Sequence, residues 1–248
     1  MKTAVIITGH MRSFDRCILS QVKRVFGALD DPHFFVSTIT DEDAHKAELL
    51  RNYFRGVDIA ITAEQPDCIA ELRAKGCALP ARWKRGEHYM REPIAITAHP
   101  QAIARQLWQL EQGWHMVGAP SRFDQFVRIR PDLLFHHCEM PATHGNLVRV
   151  PWWGRFHGCN DRFAIMGAAA AERYFTTYSR VAEMIAAGAS LHPETLLKRS
   201  LDSGGVAIDA SLGAVFSTLR PNGDVRPPEI WEEDINTLAA TQAAEAFR

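Results

Sequence analysis

The sequence lacks any run of about 18 uncharged apolar residues, so it offers no segment of the length that a membrane-spanning helix needs. The apolar part of MKTAVIITGHMRSF, at its beginning, is too short for a secretory signal and has no small-residue cleavage site. We therefore expect a cytoplasmic protein. A peripheral contact with the inner face of the cytoplasmic membrane is left open.

The motifs of several common binding sites are also missing. There is no GxGxxG, which would indicate a dinucleotide site, and no GxxxxGK[ST], which would indicate a P-loop. The five cysteines, at positions 17, 68, 77, 138 and 159, lack the CxxC spacing of a zinc site, and their odd number suits a reducing compartment. The formal net charge of −1 gives no reason to expect a nucleic acid partner. We expect neither an organic cofactor nor a nucleic acid.

The sequence does contain an alternation of strand and helix patterns. TAVIIT (3–8) is a short β-rich apolar run, and apolar residues then recur at helical spacing over 14–29. FFVSTI (34–39) and VDIAIT (57–62) repeat the strand pattern, and we expect Thr40 to cap a helix between them. Three strands separated by helices predict a doubly wound α/β fold with a mostly parallel sheet flanked by helices.

The pattern resumes after an interruption. Residues 64–100 are basic, aromatic and poor in strand signal, and we expect an insertion or lid there. Beyond them we predict helices over 103–117, over 168–187 and from Pro193, strands at NLVRVP (146–151) and FAIMG (163–167), and VAI (206–208) and AVFSTL (214–219) closing the sheet. An irregular C-terminal tail, 221–248, ends in a short helix. We expect a single domain over 1–248.

VRIRPDLLF (127–135) resembles a buried strand that is interrupted by charge at every second position. Because side chains alternate between the faces of a strand, Arg128, Arg130 and Asp132 project to one side. Pro131 has no N–H group and should end the ladder near Asp132, at the carboxyl end of the strand. Ligands bind at that end in open α/β sheets. A solvated edge strand with a surface ion pair is the structural alternative.

Three other polar segments adjoin predicted strands or helices: GHMRS (9–13), GCND (158–161) and HPE (192–194). Strand ends converge on one edge of a parallel sheet, so we expect a shared site. Gly9 permits close backbone approach, and Arg12, near His10, provides a guanidinium that can clamp a phosphate. A turn glycine beside a solvated arginine would explain the same residues without a ligand.

Four segments carry a resemblance to a known family: AVIITGHMRSF, VRIRPDLLF, GCNDRFAIMG and HPETLLKRSLDSGGVAI. Their order and spacing resemble bacterial glycosyltransferases of the GT-A fold, most closely those of capsule and lipopolysaccharide sugar assembly. The resemblance covers the first strand and most of residues 100–210. It implies a GT-A-like domain that moves a sugar from a nucleotide-diphosphate sugar to a saccharide or glycolipid acceptor in surface polysaccharide assembly.

The resemblance also assigns the donor site. In this family an Asp-x-Asp at the end of a central strand holds a divalent cation against the donor diphosphate, and Arg130-Pro131-Asp132 stands at that place. Arg130 replaces the first acidic ligand and can itself neutralise part of a diphosphate. Asp132 could still hold Mg²⁺ or Mn²⁺, so the use of a metal is left open. The expected donor-binding residues are Gly9, His10, Arg12, Arg128, Arg130 and Asp132.

Two carboxylates are candidates for the catalytic base. PETLLKRSLDSGG resembles the helix on which inverting members carry the base, which assigns that role to Glu194, and Asp161 is the alternative base or a sugar ligand. A helix cap at Glu194 and a turn residue at Asp161 are the structural alternatives. Trp152, Trp153 and Asn160 lie nearby in the sequence and are the expected acceptor-binding residues, because indole faces suit sugar rings.

Two other functions fit the same pattern. Sugar nucleotidylyltransferases share a similar sheet, but they typically carry a glycine-rich basic loop after the first strand, and GHMRSFDRC has one glycine and no lysine. A nucleotide- or sugar-binding module without catalysis would explain the missing acidic ligand. Pyrophosphate release would indicate the first alternative, and binding without turnover would indicate the second.

Overall fold

A computed structural model describes residues 1–79 and 99–230 of the chain. The strands of this part are β1 (Thr3–Thr8), β2 (Pro32–Ile39), β3 (Val57–Thr62), β4 (Gln125–Ile129), β5 (Leu133–Cys138), β6 (Leu147–Pro151), β7 (Phe163–Gly167), β8 (Ala207–Leu212), β9 (Ala214–Leu219) and β10 (Val225–Arg226). Its α-helices are α1 (Phe14–Arg24), α2 (Cys68–Ala74), α3 (Pro100–His115), α4 (Ala168–Phe175), α5 (Val181–Ala186) and α6 (Pro193–Ser203). Short 3₁₀ segments cover Phe26–Ala28, Ala44–Asn52, Pro120–Arg122 and Tyr178–Arg180.

The central sheet has seven strands in the order β3-β2-β1-β4-β7-β6-β8. Strands β3, β2, β1 and β4 are parallel to one another, and β6 is parallel to β8. β7 runs antiparallel to both of its neighbours, β4 and β6. The expectation of an α/β fold with a mostly parallel sheet is confirmed at this level.

Both faces of the sheet are covered, which explains the uninterrupted apolar run of β1. Val5 and Ile7 pack in a cluster with Phe14 and Ile18 of α1. Ala4 and Ile6 point to the opposite face, into a cluster that includes residues of α3, α4 and α6. All six residues of β1 are buried, as two-sided burial of a central strand requires.

A second sheet, with the strand order β10-β9-β5, corrects one prediction. AVFSTL was expected to close the main sheet, but it forms β9 and pairs antiparallel with β5 and β10. The cause is the turn after β4, because Pro131 has no N–H group to continue the ladder. Strand β4 therefore ends at Ile129, before Asp132, and the chain re-enters as β5 beside β9 rather than extending the central sheet.

Two helix predictions also need correction. Thr40 does not cap a helix: Asp41 accepts a hydrogen bond from the backbone N–H of Asp43 at 3.0 Å, and a 3₁₀ segment begins only at Ala44. The helix expected over 168–187 is divided into α4, a 3₁₀ turn and α5. Thr177 donates its hydroxyl to the carbonyl oxygen of Tyr174 at 2.8 Å, and such back-bonding competes with helix continuation.

The segments around the expected insertion and tail are described in part. Helix α2 packs against α3, with Cys68 and Leu72 in one buried cluster with Ile103 and Leu107. The rest of the expected lid, residues 80–98, lies outside the described residues, as do 231–248 and the final helix expected there. Within 1–79 and 99–230, no helix combines the length and apolar character needed to cross a membrane.

Candidate functional site

Polar residues converge at one edge of the central sheet. Because β4 is parallel to β1 and antiparallel to β7, the carboxyl ends of β1 and β4 lie beside the start of β7. A cavity of about 690 Å³ opens there, within the size range of about 300–1,000 Å³ that small-molecule sites occupy. Its lining comes mainly from the loop after β1, the first half of α3, the turn after β4 and the end of β9.

The six predicted donor-binding residues all line this cavity: Gly9, His10, Arg12, Arg128, Arg130 and Asp132. The structure therefore brings together residues that are more than a hundred positions apart in the chain. Their role in binding a donor stays a prediction.

Arg128 is the most unusual of the six, because its side chain is only 1% exposed. Its Nη1 donates to the carbonyl oxygens of Thr8 at 3.3 Å and of Ile129 at 2.6 Å, whereas its Nε has no partner. Burial is the main reason that the pKa of Arg128 is lowered to about 10; the like charge of Arg130 acts in the same direction, and Tyr174, Asp161 and Asp132 oppose both effects in part. Carbonyl dipoles do not neutralise a buried cation, so the wall of the cavity carries a charge that an anion would stabilise.

Arg130 and Asp132 form a bidentate ion pair in the turn that follows β4. Nε of Arg130 donates to Oδ1 of Asp132 at 3.0 Å, and Nη2 donates to Oδ2 at 2.6 Å. Burial alone would raise the pKa of Asp132, but the charge and hydrogen bonds of Arg130 lower it below its ordinary value. The side chains are only 25% and 19% exposed, so this is not the solvated surface pair of the structural alternative.

The turn that carries this pair is held by a side chain of α1 that binds its backbone carbonyl oxygens. The Nε2 amide of Gln21, on α1, donates to the carbonyl oxygens of Arg130, Pro131 and Leu133 at 3.2, 3.2 and 3.0 Å. Gly9 has a φ of +135°, and a Cβ there would lie 3.2 Å from Cδ of Pro131. Glycine therefore lets the loop after β1 approach the turn closely.

The donor set around Asp132 does not fit a divalent cation as it is arranged. Both carboxylate oxygens already accept hydrogen bonds from the guanidinium of Arg130, which would also repel a dication. Among residues 1–79 and 99–230, no group of three His, Cys, Asp or Glu side chains could hold a metal ion. Arg130 itself occupies the position that a cation would need to take beside Asp132.

His10 is oriented by an acidic residue that follows β2. Its Nδ1 lies 2.8 Å from Oδ2 of Asp41, and the imidazole side chain remains 37% exposed. Asp41 thus fixes the orientation of a histidine that lines the cavity.

The described residues that line the cavity include five arginines and a single carboxylate, Asp132. The arginines are Arg12, Arg105, Arg128, Arg130 and Arg220. Walls of low polarizability focus such a field into the cleft and attract an oppositely charged ligand. The cavity is therefore electrostatically suited to a ligand with more than one negative charge.

The two candidate bases, Asp161 and Glu194, lie near each other behind the cavity and are not among its lining residues. They are 6% and 5% exposed. Burial and the charge of Asp161 raise the pKa of Glu194 well above its ordinary value, and Arg162 opposes this effect in part. Oε2 of Glu194 lies 3.2 Å from Nδ1 of His192. Asp161 accepts a hydrogen bond from the Nε2 amide of Gln106, a lining residue, which connects this acidic pair to the cavity.

Two of the three expected acceptor residues have packing roles in the structure. Trp153 is completely buried and donates its Nε1 hydrogen to the carbonyl oxygen of Ala214 at 2.7 Å. Asn160 is also completely buried, and its Nδ2 donates to the carbonyl oxygen of Trp153 at 3.0 Å. Neither side chain presents a surface to a sugar here. Trp152 is half-buried against the same core cluster, and its role in acceptor binding stays a prediction.

Sequence reasoning missed the contribution of α3. Ala102, Arg105, Gln106 and Gln109 line the cavity, and they follow the i, i+3, i+4, i+7 spacing of one helix face. The opposite face of α3 carries the apolar residues that drew attention in the sequence. The spacing of Arg105, Gln106 and Gln109 indicates a polar helix face, but polar helix faces ordinarily meet solvent, so the sequence did not distinguish this one as the wall of a cavity.

Comparison with known proteins gives no further guide to this site. No protein-family model matches the chain. A search among curated proteins likewise found none that matches it.

Proposed function

We propose that this protein is a glycosyltransferase that transfers a sugar from a nucleotide-diphosphate sugar to a saccharide or glycolipid acceptor in surface polysaccharide assembly. The reaction class comes from the resemblance of four sequence segments to GT-A enzymes. The observation that carries the donor assignment is the buried guanidinium of Arg128, which lies in the wall of a cavity without a carboxylate partner among the described residues.

A diphosphate accounts for this arrangement better than a neutral ligand. It carries its negative charges close together, and guanidinium groups bind phosphate oxygens through paired, charge-assisted hydrogen bonds. Arg128, near the end of β4, and Arg130, just after that strand, are two positions apart and line one cavity. In the proposed complex these two arginines supply the positive charge that a cation supplies in family members with an intact Asp-x-Asp.

The same arginines would assist the reaction. Sugar transfer breaks the bond between the anomeric carbon and the β-phosphate oxygen, so negative charge grows on the departing diphosphate. Fixed positive charges that are already oriented stabilise that charge without reorganisation in the transition state. The acceptor hydroxyl loses its proton as it attacks. A base takes this proton only from within hydrogen-bond reach, and neither Asp161 nor Glu194 lines the cavity as it stands. In the proposed reaction the acceptor hydroxyl displaces the amide of Gln106 from Asp161 and donates its proton to that carboxylate directly, with Glu194 as the alternative base.

Calorimetric titration with UDP, GDP, CDP and their sugars tests the donor assignment. We expect one nucleotide class to bind, with an affinity that falls as the salt concentration rises, because the cavity attracts its ligand electrostatically. Exposed Arg24, at the end of α1, provides the control variant Arg24→Gln, which should bind as the wild type does. Failure of every nucleotide to bind the wild-type protein would contradict the proposal.

A further inference from the structure

A second, smaller pocket lies on the other side of the Arg130–Asp132 pair, between the end of β4 and the hairpin of β9 and β10. Its volume is about 50 Å³. The described residues that line it are Arg130, Arg162, Thr218, Arg220, Arg226, Pro227 and Glu229. Four guanidinium groups thus surround a space with one carboxylate, and two of them, Arg162 and Arg226, do not line the larger cavity.

Two of the four guanidinium groups have carboxylate partners and two do not. Arg130 is paired with Asp132 as described above, and Nη2 of Arg162 donates to Oε2 of Glu229 at 2.7 Å. Arg220 and Arg226 form no ion pair within residues 1–79 and 99–230. Burial lowers the pKa of Arg220, and the like charges of Arg226, Arg130 and Arg162 lower it further. The pocket therefore carries positive charge that its own acidic residues do not balance.

The backbone around the pocket is held in place. The backbone N–H of Arg220 donates to the carbonyl oxygen of Asp224 at 2.8 Å, which closes the hairpin turn. Nη2 of Arg16, on α1, donates to the carbonyl oxygens of Arg220 and Pro221 at 2.9 and 3.2 Å. Hydrogen bonds to α1 thus hold the hairpin turn, and the fold keeps the guanidinium of Arg220 close to the other arginines of the pocket.

The size of the pocket limits what it can accept. A water molecule needs roughly 10–15 Å³ of such volume, so the space holds a few waters or one compact group and excludes a sugar ring. A phosphate or a carboxylate matches both the size and the charge, and its oxygens can accept hydrogen bonds from several guanidinium groups.

We propose that this pocket binds a single oxyanionic group, a phosphate or a carboxylate, carried by the acceptor. The pocket's preference for an oxyanion follows from its own residues, whereas its assignment to the acceptor rests on the proposed function. Arg130 and Arg220 line both cavities. An oxyanion in the small pocket is therefore separated from a donor diphosphate in the large cavity only by these shared side chains. The acceptor class is therefore an acidic saccharide, with a uronate or a phosphorylated sugar at the reacting end.

Binding of two probes, inorganic phosphate and glucuronate, tests this proposal by calorimetry at constant ionic strength. Arg226→Gln changes a residue of the small pocket alone, Arg12→Gln changes a residue of the large cavity alone, and Arg24→Gln is the exposed control. We expect Arg226→Gln to weaken binding of at least one probe about tenfold, as loss of one charge-assisted hydrogen bond implies, and Arg24→Gln to leave it unchanged. The probe that binds identifies the oxyanion as phosphate or carboxylate.

Two results would overturn the proposal: neither probe binds the wild type, or Arg226→Gln leaves both affinities unchanged. Nucleoside diphosphate titrations of the same variants separate this proposal from the donor assignment. We expect Arg226→Gln to leave nucleotide affinity unchanged and Arg12→Gln to reduce it. If Arg226→Gln reduces nucleotide affinity as strongly as Arg12→Gln does, the small pocket belongs to the donor and the acceptor assignment is wrong.

Discussion

Replacement of Arg128 by methionine should separate stability from ligand binding. The fall in the pKa of Arg128 from its ordinary value to about 10 corresponds to about 3 kcal/mol of disfavoured charge in the folded protein. Methionine removes this cost and fills similar space. It also removes the two hydrogen bonds to the carbonyl oxygens of Thr8 and Ile129, worth about 1 kcal/mol each. The two effects nearly cancel, so the free energy of unfolding should change by about 1 kcal/mol or less.

The effect of Arg128→Met on nucleotide binding should be larger. Loss of a charge-assisted hydrogen bond to phosphate costs about 1.5–3 kcal/mol, which is a loss of about 10- to 150-fold in affinity. Urea unfolding followed by circular dichroism measures stability, and calorimetry with the nucleotide that binds the wild type measures affinity. Arg128→Lys keeps the charge without the planar guanidinium, so its nucleotide affinity should lie between those of the wild type and Arg128→Met. The reasoning is refuted if Arg128→Met is folded and binds nucleotide as tightly as the wild type.

Three further predictions concern the turn, the acidic pair and the cation. Gln21→Leu leaves three carbonyl oxygens of the turn without their donor and should lower the free energy of unfolding by about 1–3 kcal/mol, measured in urea; an unchanged value would show that the amide does not hold the turn. Because the pKa of Glu194 is raised in the folded protein, its contribution to stability is complete below the ordinary value of 4.5 and is lost as the pH rises through the folded-state pKa. Glutamine stays neutral at every pH, so Glu194→Gln should gain stability relative to wild type as the pH rises. A difference that is constant with pH in thermal unfolding would contradict this. EDTA should leave nucleoside diphosphate affinity unchanged within about twofold, since Arg130 already occupies both oxygens of Asp132; recovery of lost affinity on addition of Mg²⁺ would show the opposite.

The alternation of strand and helix was readable in the sequence because central strands buried on both faces are nearly continuous apolar runs. The same reasoning placed β1, β2 and β3 within one or two residues of their observed bounds. It could not show that LLF after Pro131 pairs with AVFSTL in a separate sheet. The pairing of β5 with β9 joins residues about 80 positions apart, such as Leu134 and Ser217. Local sequence patterns do not indicate which distant strand a segment pairs with.

The sequence indicated the candidate site where charged or polar residues follow the predicted end of a strand. The six residues chosen for that reason, five of them polar or charged, line one cavity. Two of the expected acceptor residues, Trp153 and Asn160, are instead buried and donate hydrogen bonds to backbone carbonyl oxygens. Composition alone does not separate such residues from accessible ones. Arg220 was missed because its relevance depends on the hairpin that brings it beside Arg130.

Phosphorus NMR of the reaction mixture tests the central claim most directly, because it distinguishes nucleoside diphosphate, pyrophosphate and unreacted nucleotide sugar in one spectrum. The protein is incubated with UDP-, GDP- and CDP-linked sugars and acidic oligosaccharide acceptors. Our account predicts that the resonances of one nucleotide sugar are replaced by those of its free nucleotide, with no pyrophosphate, and that Arg128→Met slows this conversion. Release of pyrophosphate when the protein is incubated instead with a nucleoside triphosphate and a sugar phosphate, or nucleotide binding without any conversion, would contradict it.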